Sequence, residues 1–461
     1  MPRLEATSLP PTPVWLGRLG LELKRLAVPL LGARHQGLLS FTFDVPLEPL
    51  TPPTACSDHW CFWHRPEADH RLLGAGRAVW FTEAGEGRFR RLASRVRRQQ
   101  EDWIHINQGR ANPLARAFLG FAFDSEERPG GIWGGFPNLT WMVPSLLLEW
   151  RKGHCTLTFS HDCALKRSPE QVVSDWITRL RQLLEAQVGP EVEQPARLQA
   201  CREVPQANHW TASVAAAVAA IRRRERLRKV VLSRTLELRF RVPPDSRALL
   251  ERLAADFPGC AVLGARFGGA TLVAATPERL LALEGGEVCS DAIAGTVPGS
   301  ASISDEGMRR HEHQPVVEAI RAAFANWCEE VQVEARPRSL RLRELSHLAT
   351  PVRARLREGT DLFSLLEALH PTPAVGGVPL DEAMTWIRAH EGHRRGWYTG
   401  AFGWMGDAER AELSVVLRCG LLEASRLTLF AGAGITEVSD PAAEFEETGL
   451  KFRTLLDRLR P

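Results

Sequence analysis

Short apolar or alternating segments dominate the first part of the chain. Ser40-Phe-Thr-Phe-Asp44 alternates with period two, the pattern of a strand with one buried face. Cys61-Phe-Trp63, Ala78-Val-Trp-Phe81, Ala117 to Phe123, Trp141-Met-Val143, Leu146 to Trp150 and Cys155 to Phe159 follow, bounded by Gly, Pro and Asn. Their aromatic and β-branched content predicts a sheet-rich first half. Arg88 to Gln108 and Pro169 to Ala186 switch to helical spacing, and Leu16 to Leu31 reads as an amphipathic surface helix. A second half begins near Val204. There Ala212 to Arg228 predicts an Ala-rich helix running into a β-branched strand that opens Lys229-Val-Val-Leu-Ser233. Strands and helices then alternate without βαβ regularity or repeat. The last helix is predicted to start at Ser439-Asp440-Pro441, a capping residue before a first-turn proline.

With 461 residues, 44% of them hydrophobic, the chain can bury a large core. Length alone suggests about three domains. A net charge of +3 is small for this size and argues against bulk binding to nucleic acid or membrane. Arg222-Arg-Arg224 reads as a solvated helix face. Nine scattered cysteines form no CxxC pair and no zinc-spaced Cys/His cluster, which fits a reduced, cytoplasmic setting. No apolar run of about 18 residues and no signal-peptide pattern occurs, so neither a membrane span nor secretion is expected. There is no P-loop and no dinucleotide fingerprint. Gly264-Ala-Arg-Phe-Gly-Gly269 reads as a hairpin turn.

Candidate chemistry begins at Lys229. Only Lys24, Lys152, Lys166, Lys229 and Lys451 are lysines among 58 basic residues, so arginine supplies plain positive charge almost everywhere. Arginine holds its proton, whereas a buried lysine can be tuned toward neutrality, which makes Lys229 a candidate base. Glu278 follows Pro277 and precedes the apolar Leu280-Leu-Ala-Leu283, where a carboxyl can hold a proton for delivery. The small-residue run Ala294-Gly-Thr296 allows close approach to the backbone. In Arg310-His-Glu-His313 the two histidines point to different helix faces, leaving Glu312 as a hard oxygen donor. Pro315 is expected to start or kink the helix that follows. Glu444 and Glu447 share a helix face with Lys451 and suit either solvated charge or Mg²⁺. Arg418 ends an apolar strand and suits a bidentate carboxylate contact. Tyr398 is the only tyrosine, and Gly432-Ala433-Gly434 can accept a flat ligand. Phe123-Asp124 with Phe136-Pro137 fits a ligand site or plain turn chemistry.

Taken in order, these segments resemble the chorismate-utilising enzymes, and among them the isochorismate synthases. Lys229 to Arg234, Ala294 to Thr296, His370 to Gly377, Arg395 to Tyr398, Phe430 to Ile435 and Glu444 to Lys451 carry the likeness, which covers the chain from about Val204 onward. Gly120-Phe-Ala-Phe-Asp124 and Phe136-Pro137 match more loosely. The resemblance implies an α+β fold: one large domain with two packed β-sheets surrounded by helices. In it, residues 1–203 form a sheet-rich half and 204–461 the chorismate-binding half. Lys229 stands where amine-transferring relatives have Gln, and Ala294 where aminodeoxychorismate synthases have a nucleophilic Lys. Water is therefore the implied nucleophile, and no glutaminase subunit is expected.

By this resemblance, Lys229 activates water at C2 of chorismate and Glu278 protonates the departing C4 hydroxyl. Glu312 and Glu447, with Glu444 through water, hold Mg²⁺. Arg418, Tyr398, Lys451 and the backbone at Gly432 and Gly434 hold the substrate carboxylates, with Ala433 counted among the binding residues. Ala294, Gly295, Thr296 and His347 line the ring's hydroxyl side. The expected activity is isochorismate synthesis for menaquinone in the cytoplasm. The alternatives are a salicylate synthase, a siderophore-pathway isochorismate synthase, an anthranilate-type subunit, or an Arg-rich binding protein without catalysis. Two departures from the family pattern stand out: Arg309 replaces the usual acidic residue of the outer metal shell, with Asp305 or Glu306 nearby, and Asp291 stands where a longer Glu is common.

Overall fold

The computed structural model describes residues 14–33, 35–52, 59–109, 116–188, 195–223, 226–298, 312–342, 345–406 and 410–459, without the side chains of 296–298, 342 and 345. The predicted strands form close to where the patterning places them. Ser40 to Asp44 lies in Leu38–Asp44, and Cys155 to Phe159 in His154–Asp162. The helix predicted over Arg88 to Gln108 stops at Glu101, and the β-branched Ile104–Asn107 becomes an edge strand beside Leu38–Asp44. The Ala-rich helix sits earlier than expected, at Ala207–Arg222. Gly268 and Gly269, both at positive φ, turn the hairpin between Ala261–Phe267 and Ala270–Thr276.

Two sheets stack face to face, the smaller antiparallel throughout its described pairs and the larger antiparallel but for the parallel edge pair of Leu38–Asp44 and Ile104–Asn107, and both draw strands from both halves of the chain. In the larger sheet Trp60–Arg65 pairs with Ala261–Phe267. In the smaller, Ala117–Phe121 pairs with Ala401–Met405. The length-based expectation of about three domains therefore fails, because each sheet is completed only by strands from the far half. Between the sheets Trp63, Phe118, Trp133, Phe136, Trp397, Phe402, Trp404 and Phe430 interlock, many edge to face. Separate apolar clusters cover each sheet's outer face beneath helices. The buried Arg116 reaches across from the smaller sheet to grip Glu149 of the larger one with two 2.8 Å bonds, and His70 Nε2 lies 2.9 Å from the same carboxylate. Among the described residues, no helix is long and apolar enough to cross a membrane.

Candidate active site

The strand Lys229–Val242 runs through the larger sheet beside Arg426–Ile435, with Val231 opposite Gly434 and Ser233 opposite Gly432. Alternation sends Lys229, Val231 and Ser233 to one face. Lys229 is only 4% exposed, so its ammonium is not in water. The two glycines opposite make room for it. A Cβ on Gly434 would lie 2.9 Å from Lys229 Cε, and one on Gly432 would lie 2.8 Å from the Tyr398 hydroxyl. Burial drives the Lys229 amine below its usual proton affinity, and Lys451 adds to this, against the pull of Glu312, Glu278 and Glu447.

Glu278 follows Pro277 into the strand Arg279–Glu284, with its carbonyl bound by Val415 N at 3.0 Å. It is also only 4% exposed. Burial and the charge of Asp291 push its carboxyl up to about 8, although Lys229 pulls the other way. Arg279 does not pair with it; that guanidinium lies near Asp291 and Glu412 instead. At neutral pH the cavity therefore holds a carboxyl that keeps its proton beside an amine whose hold on its own proton burial has loosened.

The opposite wall comes from the strand Glu287–Pro298, where a bulge at Gly295 (φ 77°) interrupts its pairing with Leu345–Leu356. His347 pairs with Thr296 there, hydrogen-bonds the Gly295 backbone, and has Nε2 3.0 Å from Arg418 Nη2. An arginine can only donate, so Nε2 is the acceptor and the ring is neutral. Burial, then Arg418 and Lys451, hold its proton affinity well below normal. Arg418 sits at φ 48° in the connection between two strands, and Thr399 at φ 60°. Both are strained for residues other than glycine, as is common at binding sites. Tyr398 stacks on Phe430 with centroids 5.3 Å apart. Lys451 donates to the Gly432 carbonyl at 2.7 Å and pairs with Glu447 at 2.6 Å.

These groups enclose a cavity of about 100 Å³ that carries two cations, Arg418 and Lys451, besides the Lys229 amine. A wider cleft of about 820 Å³ adjoins it at Lys229, lined by Arg228, Glu318, Pro371 and Thr436. We place the chemistry in the smaller cavity, because the buried acid, amine and imidazole converge there.

The donors for a metal are all carboxylates. Glu312 and Glu447 line the cavity, and Glu444 lies one turn before Glu447 on the helix Pro441–Leu456, capped by Asp440 as the sequence predicts. Burial, Glu447 and Glu312 raise Glu444 to about 7, with Ser439 opposing. Crowded carboxylates of this kind fit a hard divalent cation, which would relieve their repulsion. Among the described residues no three donors already converge on a point, and Lys451 neutralises Glu447 meanwhile. The helix after Glu312 begins at Gln314 with Pro315 in its first turn, so the proline starts the helix and does not kink it.

Lys229, Glu278, Ala294, Gly295, Glu312, His347, Tyr398, Arg418, Gly432, Gly434, Glu447 and Lys451 thus share one cavity. Ala433 does not: alternation turns it to the apolar core on the other side of its strand, which corrects its place among the binding residues. Glu444 stands behind Glu447 and is not among the lining residues. The Thr296 side chain, Arg309, Asp305 and Glu306 lie outside the described residues. Asp124 is a structural group, bound by Arg388 at 2.7 and 2.8 Å, and Phe136 belongs to the aromatic layer. Sequence reasoning missed Thr399 and Leu417, which line the cavity as ordinary small or apolar residues; Ala374 and Phe430 also line it, inside the segments His370 to Gly377 and Phe430 to Ile435, but receive no role of their own from the sequence.

The family model described as chorismate binding enzyme matches residues 31–460. Isochorismate synthase MenF of Bacillus subtilis is 31% identical over 86% of this chain and 87% of its own length. The salicylate biosynthesis isochorismate synthase of Pseudomonas aeruginosa is 32% identical over 92% of this chain and 90% of its own. Among solved structures, the menaquinone-specific isochorismate synthase MenF of Escherichia coli superposes with a TM-score of 0.78 at 23% identity, covering 96% of this chain and 100% of that one. Anthranilate synthase component I of Streptococcus pneumoniae gives 0.67 at 20% identity, with 94% and 96% covered, a likeness of fold alone.

Proposed function

The chain belongs to the chorismate-binding enzymes, and from that premise we propose that it is an isochorismate synthase, an isomerase that converts chorismate to isochorismate. Water adds at C2 and the C4 hydroxyl departs as water, so composition is unchanged. The observation that carries this reading is the pairing of a neutral-leaning buried amine, Lys229, with a proton-holding buried acid, Glu278, in one cavity.

In this mechanism Lys229 takes a proton from the attacking water, and Glu278 hands its proton to the leaving hydroxyl. Arg418 and Lys451 hold the two substrate carboxylates, with Tyr398 and the backbone at Gly432 and Gly434 shaping that end. Neutral His347, fixed by Arg418 and Gly295, and the Ala294–Gly295 bulge face the ring, with Thr296 beside them. Mg²⁺ held by Glu312 and Glu447, with Glu444 behind, would neutralise substrate carboxylate charge. The names of the Bacillus subtilis and Pseudomonas aeruginosa relatives favour this reaction over amine transfer, as does lysine at 229 in place of glutamine. We place the enzyme in the cytoplasm, serving menaquinone synthesis without a glutaminase partner. The Pseudomonas aeruginosa relative keeps a salicylate-pathway role as the second reading.

Purified protein with Mg²⁺ is expected to convert chorismate to isochorismate without glutamine or ammonia, followed by chromatography of the products. A dominant salicylate or anthranilate peak would overturn the assignment. Gly434→Ala is expected to lower kcat about 10²-fold, since its Cβ would crowd Lys229 Cε and displace the amine by a fraction of an ångström or more. Unchanged steady-state kinetics would remove the glycine from this role.

A further inference from the structure

The strand Lys229–Val242 has two partners on its outer edge, and they do not meet. Gly377–Val378 pairs with Lys229 and Val230, and Arg197–Val204 takes over at Thr235. Between them an ion pair of two buried side chains, Glu391 and Arg395 (4% and 2% exposed), takes the place of a strand. Arg395 Nη2 donates to the Val231 carbonyl at 2.7 Å, and the Ser233 amide donates to Glu391 Oε2 at 3.0 Å. The two charges bind each other at 2.6 and 2.7 Å. Ser233 Oγ adds a 2.7 Å bond to Glu391 Oε1. Burial works against the charge on Glu391, but Arg395, His393 and Ser233 outweigh it and hold the carboxyl below its usual proton affinity.

The same residue reaches the other walls, one through its guanidinium and one through its backbone. Arg395 Nη1 donates to the Val375 carbonyl at 2.9 Å, and its own carbonyl accepts the Tyr398 amide at 3.0 Å. Val231, Val375 and Tyr398 all line the reaction cavity, from three separate chain segments. Two charges have been withdrawn from water at a gap in a sheet, where an ordinary strand would satisfy the backbone without that desolvation cost. What they add is a fixed relation between the three walls.

We propose that Arg395 and Glu391 are positioning residues for the attack of water: the pair locks the strand face bearing Lys229 against the Val375 and Tyr398 walls. This rests on the reading of Lys229 as the base. Arg418 and Lys451, which hold the substrate carboxylates, are anchored by His347 and by Glu447 and Gly432, outside this pair. Loosening it therefore misplaces the amine while leaving substrate affinity in place.

Glu391→Gln tests this, and Ser233→Ala provides a milder variant that strands no charge if the first does not fold. Steady-state kinetics are expected to show kcat lowered about 10- to 10²-fold, with KM for chorismate within about threefold. A second readout needs no turnover. With ¹³C at lysine Cε, the chain gives signals from five lysines, and Lys229→Met identifies that of Lys229. In the folded variant the Lys229 signal is expected to shift or broaden while those of Lys24, Lys152 and Lys166 stay fixed. An unmoved Lys229 signal, or KM rising in step with the loss of kcat, would overturn the proposal. Failure of the wild-type protein to make isochorismate would instead overturn the assigned reaction, with the Lys229 signal still reporting on positioning.

Discussion

Lys229→Ala is expected to lower kcat by about 10² to 10⁴ with the fold intact, the range a positioned general base supplies. Among the described residues lining the cavity, no other lysine or histidine can substitute. Lys451 is held by Glu447 and the Gly432 carbonyl, and both ring nitrogens of His347 are spent, Nε2 accepting from Arg418 and the N–H donating to the Gly295 backbone. The fold survives because the amine is a burden on it. A lysine whose proton affinity is lowered by burial binds fewer protons folded than unfolded, so stability drops as pH falls below the usual lysine value of 10.5. The isosteric Lys229→Met is therefore expected to melt at or above the wild-type temperature at pH 7 while turning over no substrate. Calorimetry beside a product assay checks both halves. Retained turnover would remove Lys229 from its role.

Glu278→Gln is expected to cost a similar factor in kcat, since the amide keeps the shape but has no acidic proton for the leaving hydroxyl. The raised carboxyl also sets the pH dependence of the wild-type enzyme. Its value near 8 keeps the acid loaded at neutral pH, so the rate should fall as pH rises past about 8. The stability linkage has the matching sign. Folded and unfolded carboxyls are both protonated below 4.5, and between 4.5 and about 8 only the unfolded one ionises, so stability is lost across that window. Glu278→Gln removes this loss, and its melting temperature should exceed the wild type's by most above pH 8. A flat pH–rate profile from 7 to 9 would mean that Glu278 is not the proton donor.

Local patterning carried most of the strands and the last helix, because alternation and capping act over a few residues. Ser439-Asp440-Pro441 needed no distant partner to start its helix. Boundaries slipped where tertiary contacts compete: Ile104–Asn107 left its predicted helix because Leu38–Asp44 offered an edge to pair with. Most of the polar residues that line the candidate cavity were visible through their chemistry or the family likeness. Glu391 was not, since a glutamate before a histidine and two arginines reads as surface charge. Only the gap between two strand partners of Lys229–Val242 gives it a task. Ala433 was misplaced for the opposite reason: a motif names consecutive residues, but a strand presents alternate ones.

The pairing of Trp60–Arg65 with Ala261–Phe267, and of Ala117–Phe121 with Ala401–Met405, has a consequence for biogenesis. A ribosome delivers the early strands long before the late ones exist, so neither sheet can be completed during synthesis of the first half. The aromatic faces of Phe118 and Trp63 must wait, exposed, for Phe402 and Trp404. Contacts this distant in sequence make for slow closure, and the nascent chain is most exposed to aggregation in that interval.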